Sequence, residues 1–289
     1  MLVGLVATRE NETNARLVRA GGEGWLCVTP AEAVRWLCAG DVALGRLDVL
    51  PGLDGIDDGL RSLGELEARG VRVLNPASAL IAAHDKLVTA RLLRAAGLPH
   101  PRTWCVSRGS PAPAITAPAV IKPRFGSWGR DVVRCADLDD VRRHLLNIAH
   151  RDWFAAHGAL VQELVEPRGF DLRVIVAGGR VVGAARRVAA PGEWRTNVAL
   201  GARRETVVPP PDACRLARAC AVAGGADLVG VDLLPVDGGW TVLELNGAVD
   251  FTRDYSLGDD VFADAVRQLR RVSLDPALPA LDEPAELWF

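Results

Sequence analysis

Three oxygen-bearing side chains stand out in the stretch GVDLLPVDGGWTVLELNGAVDF, residues 230–251, because the residues around them are apolar. Two apolar runs on either side of residues 237–239 (Asp-Gly-Gly) predict a β-hairpin. With a three-residue turn, Asp232 lies directly opposite Glu244, and Asn246 shares the face of Glu244. Two facing carboxylates repel each other unless a cation lies between them, and a set of oxygen ligands suits Mg²⁺ rather than zinc. A solvent-facing polar stripe is the alternative, but the apolar surroundings favour a metal site.

A lysine followed by a glycine-bearing loop forms a second candidate, in AVIKPRFGSWGRDVVRC. Lys122 ends an apolar strand, and a short loop of Gly126, Ser127, Trp128 and Gly129 follows it. A lysine at a strand end can meet a phosphate as a point charge, and a loop of small residues can bring backbone N–H groups close to phosphate oxygens. A surface lysine beside an ordinary β-turn is the alternative. The loop is neither a Walker A motif nor a kinase glycine loop, since the kinase loop precedes its lysine.

The segment VQELVEPRGFDLRVIVAGGRVVGAARR carries further charged residues on predicted strands. Glu163 ends one strand, and its carboxylate and the backbone of Leu164 could hydrogen-bond an adenine edge. Asp171 and Arg173 share one face of the next strand, and Arg187 ends the strand after it. Each charge alone is typical of a solvated strand face. Their position near a proposed phosphate site favours a functional role.

A loop bounded by glycines, PGEWRTNVALG, carries Arg195 and Asn197. An arginine in such a loop could hold a carboxylate with two parallel hydrogen bonds. An exposed loop arginine with no ligand is the alternative.

Composition is typical of an enzyme that acts on small molecules. The chain has 289 residues, 49% of them hydrophobic, and a formal net charge of -2, which gives no general attraction to nucleic acid or acidic membranes. No apolar run approaches the roughly 20 residues of a membrane span. The six cysteines are scattered, which argues against a disulfide framework or a zinc site. We therefore expect a cytoplasmic protein that binds neither nucleic acid nor membranes.

Alternating strands and helices predict a parallel α/β unit at the start of the chain. Its predicted strands cover 2–7, 25–28 and 71–74, and its predicted helices 11–20, 31–38 and 60–69. A single helix is predicted over 78–96, and the Pro-rich stretch SRGSPAPAITAP after it predicts a linking loop. Beyond it, strands are predicted near 120, 133, 160, 174, 181, 229 and 242, and helices over 138–149 and 212–223.

In order and spacing, five segments resemble the ATP-grasp superfamily of carboxylate–amine ligases. They are NPASALIAAHDKLVTARLLRAAGLPHPRT, VIKPRFGSWGRDV, VQELVEPRGFDLRVIVAGGRVVGAARR, WRTNVALGA and GVDLLPVDGGWTVLELN. Within the superfamily, the chain is most similar to RimK-type α-L-glutamate ligases and to LysX-type ligases that act on amino-group carrier proteins. The resemblance implies an α/β fold of the ATP-grasp type. Its units would be a pre-ATP-grasp α/β domain (1–84), a small central α+β domain (85–159), a larger C-terminal α+β domain with a mostly antiparallel sheet (160–275), and a tail (276–289).

The resemblance also implies the roles of individual residues around ATP and two Mg²⁺ ions, for which Mn²⁺ could substitute. Nucleotide-binding residues would be Lys86 and Lys122 at the phosphates, Glu163 and Leu164 at the adenine, Asp171 near the ribose, and Arg173 with the loop of Gly126, Ser127, Trp128 and Gly129. Catalytic residues at the phosphoryl group and the carboxylate would be Arg187, Arg195 and Asn197. Metal ligands would be Asp232, Glu244 and Asn246.

Family chemistry implies that ATP phosphorylates a substrate carboxylate and that an amine then displaces phosphate to form an amide. The substrates would be a small molecule or peptide with a free carboxylate and an amine, with a small carrier protein as a further option, and the enzyme would be a homo-oligomer. A small-molecule kinase and a nucleotide-binding module without turnover are the alternatives. After Asn246 the chain continues GAVDF, where many relatives have a Ser-Pro-Gly type of turn. This segment and GRLDV in the first unit are expected to line the acceptor side of the pocket.

Overall fold

The computed structural model describes residues 1–109 and 113–274, so the expected tail at 276–289 and part of the Pro-rich loop lie outside the described residues. The helices are α1 (Glu12–Gly21), α2 (Pro30–Trp36), α3 (Leu60–Ala68), α4 (Ala77–His84), α5 (Lys86–Ala95), α6 (Leu138–Ile148), α7 (Asp152–His157), α8 (Pro211–Gly224) and α9 (Val261–Leu274). The strands are β1 (Val3–Val6), β2 (Trp25–Val28), β3 (Val42–Gly45), β4 (Arg72–Leu74), β5 (Thr103–Val106), β6 (Ala119–Pro123), β7 (Val133–Cys135), β8 (Ala159–Glu163), β9 (Phe170–Ala177), β10 (Arg180–Val188), β11 (Arg203–Thr206), β12 (Leu228–Val236) and β13 (Gly239–Asn246).

The first sheet is parallel, with strand order β2-β1-β3-β4. Strands β1 and β3 are buried along their whole lengths, which is why they read as continuous apolar runs. Leu5 and Leu44 of this sheet share a core with Phe262 and Leu269 of α9. Helix α9 therefore fastens the first sheet to the part of the chain that carries the predicted site.

The single helix predicted over 78–96 is wrong, because two helices, α4 and α5, meet at Asp85. The Asp85 carboxylate accepts hydrogen bonds from the backbone N–H groups of Leu87 and Val88 and so caps α5. It also accepts two hydrogen bonds from the Arg124 guanidinium, at 2.7 and 2.5 Å. This partner, 39 residues away in the chain, lies outside the sequence window on which a helix prediction depends.

The five-stranded sheet, in the order β11-β10-β9-β12-β13, is antiparallel and contains the predicted hairpin. Asp232 lies opposite Glu244, as predicted, but the predicted three-residue turn is wrong. Val236 pairs with Gly239, so the turn has two residues, and a β-bulge between Asp232 and Leu233 restores the register. Helix α8 packs against β9 and β12 on the apolar face of this sheet, so the polar residues occupy the other face.

The remaining sheet, in the order β5-β8-β6-β7, is also antiparallel. Strand β8 pairs with both β5 and β6, so its residues belong to this central sheet rather than to the unit that was expected to begin at residue 160. We therefore propose a boundary after β8 for the central unit. A parallel α/β unit followed by two antiparallel sheets confirms the predicted fold class.

Candidate active site

A cleft of about 980 Å³, partly open to solvent, is lined by residues of both antiparallel sheets. The residues predicted to bind nucleotide that line it are Lys86, Lys122, Gly126, Ser127, Trp128, Gly129, Glu163, Leu164 and Asp171. Arg187, Arg195, Asn197, Asp232 and Glu244 line it as well. The structure therefore brings together side chains from five separate sequence segments, while Arg173 and Asn246 line a neighbouring cavity.

Lys122 lies near the end of β6 with its ammonium inside the cleft wall. The side chain is 5% exposed, and its Nζ atom donates to Oε1 of Gln162 at 2.8 Å. Burial is the largest cause that lowers the pKa of Lys122 to about 8; Glu244 acts in the opposite direction, and nearby Lys86 also lowers it. An anionic ligand would stabilise the charged form of this buried lysine, because the anion would supply the charge compensation that the fold leaves incomplete.

Lys86 is the first residue of α5, and its position follows from the helix break at Asp85. Its Nζ atom donates to the carbonyl oxygen of Gly126 at 2.5 Å and lies 3.6 Å from Oε2 of Glu244. One ammonium group thus joins the glycine loop to the β13 carboxylate. Positive charge from Lys86 and Lys122 is concentrated beside Glu244, an arrangement suited to polyphosphate.

The glycine loop and the loop of Arg195 are fastened to each other across the cleft. Nη1 of Arg195 donates to the carbonyl oxygen of Gly129 at 3.1 Å. Gly129 has φ +70°, which glycine adopts without strain, and a Cβ atom there would lie 2.7 Å from Oδ1 of Asn197, so glycine allows this close approach of the two loops. Glu193 holds the Arg195 guanidinium at 2.8 Å, and this contact lowers the pKa of Glu193 to about 2. Arg195 is therefore held in place before any ligand binds.

Four charged residues form a buried network on the polar face of the five-stranded sheet. Arg187 donates to both carboxylate oxygens of Asp171 and to Oδ2 of Asp232, the last at 2.7 Å. Arg173 makes two hydrogen bonds of 2.7 Å to Asp232. Burial alone would raise the pKa of Asp232, but Arg173 and Arg187 outweigh it and hold the pKa below its ordinary value. Arg173 and Arg187 thus compensate the burial of Asp232, and the expectation that a cation also lies between Asp232 and Glu244 remains a prediction.

Asp171 is also engaged within the protein, because its carboxylate accepts from Arg187 and from the hydroxyl of Thr196. It is fully buried beneath the cleft. Its contacts orient Arg187 and the Thr196 loop. A direct contact with a ribose, which the resemblance implied, remains a prediction.

The backbone near Glu163 is partly committed as well. The N–H of Leu164 donates to the carbonyl oxygen of Pro118 at 3.1 Å, and the Glu163 carboxylate accepts from the N–H of Arg102 at 3.2 Å. An adenine bound here would therefore need an acceptor such as the Leu164 carbonyl rather than this N–H group.

Glu244 and Asn246 are the groups best placed to hold a divalent cation. The Nδ2 atom of Asn246 is buried and has no hydrogen-bond partner among the described residues. A half-turn of the amide would present its oxygen at the same place. Glu244 faces both cavities, and within residues 1–109 and 113–274 Lys86, at 3.6 Å, is its one ion-pair partner. The residues thus fit a hard cation with oxygen ligands. No cluster of three or more His, Cys, Asp or Glu suited to a metal occurs in residues 1–109 and 113–274.

A second cavity of about 890 Å³ adjoins the first. It is lined by Asp48 of GRLDV and by Ala248, Val249 and Asp250 of GAVDF, the two segments expected to face the acceptor. Residues that line both cavities are Ser127, Trp128, Arg187, Asn197 and Glu244. We call this set the junction and the second cavity the acceptor cavity. A group passing from one cavity to the other would meet the junction residues.

Sequence reasoning missed several residues of this site. Gln162, Thr196 and Arg124 hold Lys122, Asp171 and Asp85 respectively, while His84 and Arg204 line the acceptor cavity. Alternation along β11 could have indicated Arg204, but the four residues of that strand lack an apolar run. The partners of the other residues are distant in sequence, so no local pattern reveals them.

Solved structures with the same architecture show which fold this chain has. A RimK domain ATP-grasp protein from Sphaerobacter thermophilus DSM 20745 superposes with a TM-score of 0.67 at 22% identity, covering 93% of this chain and 99% of that chain. D-alanine–D-alanine ligase from Bacillus anthracis, complexed with ATP, superposes with a TM-score of 0.67 at 16% identity, covering 95% and 97%. The chain has the ATP-grasp fold.

The family follows from sequence. The model of the RimK-like ATP-grasp domain matches residues 83–268, and the chain therefore belongs to the RimK-like ATP-grasp family, as the resemblance predicted. It is 31% identical over 221 residues to tetrahydromethanopterin:α-L-glutamate ligase of Methanosarcina acetivorans, with 68% of this chain aligned. The alignment spans 66% of that relative, just under two thirds of its length. Across the part of the chain that is described, no helix has the length and apolar character to cross a membrane.

Proposed function

We propose that the protein is an ATP- and Mg²⁺-dependent carboxylate–amine ligase. It would activate a substrate carboxylate as an acyl phosphate and join it to the amine of an amino acid or peptide, releasing ADP and phosphate. The proposal depends above all on one observation, the position of Glu244 and Arg187 at the junction between the cleft and the acceptor cavity. The names of relatives, α-L-glutamate ligase and D-alanine–D-alanine ligase, support the same chemistry.

In the cleft, Lys86 and Lys122 would bind the phosphates of ATP, and the glycine loop would cover them with its backbone N–H groups. Glu244 and Asn246 would hold Mg²⁺. Asp232 is anionic and lies beneath them, and it would act as a third metal ligand when two Mg²⁺ ions are bound. Bound Mg²⁺ would neutralise charge on the phosphate oxygens during transfer.

At the junction, Arg187 would face the transferring phosphoryl group, and Arg195 and Asn197 would hold the carboxylate on the cleft side. Arg187 is fixed by Asp171 and Asp232, and Arg195 by Glu193 and Gly129. Preorganised arginines stabilise developing charge without the cost of reorientation. The amine would enter from the acceptor cavity and attack the acyl phosphate, with phosphate leaving into the cleft.

The test is to follow the products of ATP with amino acids and candidate carboxylates. We expect ADP and phosphate, and added hydroxylamine should trap the acyl phosphate as a hydroxamate. AMP and pyrophosphate would contradict the proposal. A stable phosphorylated product that resists both hydroxylamine and amines would instead favour the small-molecule kinase, and absence of any turnover with bound ATP would favour a nucleotide-binding module.

A further inference from the structure

Arg204 lines the acceptor cavity and has no role in the proposed function as given above. It lies on β11 directly opposite Arg187 on β10, so both side chains stand on the polar face of the five-stranded sheet. Directly opposed residues of neighbouring strands have Cβ atoms roughly 5 Å apart. Arg204 therefore stands one strand further from the cleft than Arg187, and it does not line the cleft itself.

Arg204 is the arginine of this cavity that the fold leaves without an acidic partner. Arg187 is paired with Asp171 and Asp232, and Arg173 is paired with Asp232. By contrast, no carboxylate of the described residues lies within ion-pair distance of the Arg204 guanidinium, and its Nε atom is buried without a hydrogen-bond partner. A buried guanidinium nitrogen without a partner costs free energy that an incoming acceptor would recover.

We propose that Arg204 binds the free carboxylate of the amine-bearing substrate and thereby selects an α-amino acid for the acceptor cavity. The proposal depends on the proposed ligase function. The carboxylate on Arg204 is not the one that becomes activated, because activation requires contact with the nucleotide and Arg204 lies outside the cleft. In an α-amino acid the distance between the amine and the carboxylate is no larger than the spacing of two neighbouring strands. The amine can therefore reach the junction while the carboxylate is bound to Arg204.

The planar guanidinium suits this role because it can donate two parallel hydrogen bonds to a carboxylate. Neighbouring Arg203 offers a matched control. It points to the other face of the same strand, its side chain is 74% exposed, and it is paired with Glu205 at 3.0 Å. Removal of Arg203 changes the charge of β11 by the same amount without touching the cavity.

The experiment measures binding rather than turnover. Calorimetric titrations of the full chain, saturated with Mg²⁺ and a non-hydrolysable ATP analogue, use the twenty common L-amino acids and the α-carboxamide of each one that binds. We expect at least one acid to bind, and its carboxamide to bind roughly ten- to a hundredfold more weakly, the usual range for loss of a charged hydrogen bond.

The Arg204→Ala substitution should weaken binding of the acid by a similar factor and leave binding of the carboxamide unchanged. Arg204→Lys should recover part of the loss, and Arg203→Ala should match the unmodified protein. Unchanged affinity for the ATP analogue in Arg204→Ala shows that the variant is folded, and Arg204→Gln replaces it if the thermal midpoint falls.

Three outcomes would each overturn the proposal. They are equal affinity for the acid and its carboxamide, equal losses of affinity for the acid in Arg204→Ala and Arg203→Ala, and no binding by any amino acid. Failure of the ligase proposal has a different result, namely no ADP release or the wrong products, and the binding comparison can be read in either case. If turnover is found, Arg204→Ala should raise the KM for the amino acid and leave kcat and the KM for ATP nearly unchanged.

Discussion

Binding of nucleotide should draw a proton onto Lys122. The buried ammonium of this residue has a pKa of about 8, so a large part of it is neutral under mildly alkaline conditions. Phosphate oxygens placed beside it favour the charged form and raise the pKa. The direction is therefore uptake of a proton on binding, and not release.

The size of the effect follows from the same pKa. At pH 8.5 about 0.8 of the Lys122 side chains are neutral, against about 0.1 at pH 7, if the ordinary titration curve applies. If bound phosphates raise the pKa well above 9, these fractions are the protons taken up per nucleotide. Uptake should thus grow steeply between pH 7 and pH 8.5.

The assay is calorimetric titration of a non-hydrolysable ATP analogue with Mg²⁺ in buffers of different ionisation enthalpy, at both pH values. The slope of binding enthalpy against buffer enthalpy gives the number of protons. Lys122→Met should abolish the uptake at pH 8.5 while Arg203→Ala should preserve it. An uptake that is the same at both pH values, or that survives in Lys122→Met, would refute the assignment of Lys122 to the phosphates.

Three further substitutions test the network around the cleft. Glu244→Gln should lower turnover by more than about a hundredfold at saturating Mg²⁺, because metal ions supply several kcal/mol of charge stabilisation. The thermal midpoint should stay close to that of the unmodified protein. Wild-type rates would show that the metal assignment is wrong. Arg187→Met should lower the free energy of unfolding by about 3–5 kcal/mol in urea titrations, since it leaves two buried carboxylates short of a cation, and a loss below about 1 kcal/mol would contradict the network. Asp85→Ala should cost about 1–2 kcal/mol in the same titrations, more than Asp137→Ala, which removes a helix cap without an arginine partner, and equal losses would show that Arg124 adds nothing.

The local sequence was sufficient for most elements of the fold. Strand β2 has the predicted ends, and the strands predicted near 120, 174, 229 and 242 all form. The predictions for these segments are right because continuous apolar runs and glycine-bearing turns specify strands through short-range sterics and burial. Strands β3, β5 and β11 and helices α7 and α9 were missed. Strand β11 is short and polar, and it forms because it pairs with the edge of β10.

For the site, the sequence by itself determined which residue types are present, whereas the register that puts Asp232 opposite Glu244 results from a two-residue turn and a β-bulge that the sequence did not predict. Alternation along a strand fixes which side chains share a face, so it also placed Asp171 and Arg173 together.

Only the tertiary structure decided what each charge does. It showed that Arg173 and Arg187 compensate the burial of Asp232, placed Lys86 between the glycine loop and Glu244, and left Arg204 without an acidic partner among the described residues. The physical reason is that ion pairing and burial depend on distances between strands that are far apart in the chain. A sequence pattern shows which face of a strand a side chain occupies but not which side chain lies opposite it on the next strand. The pattern therefore does not distinguish an arginine paired with a buried carboxylate from an arginine available to bind a ligand.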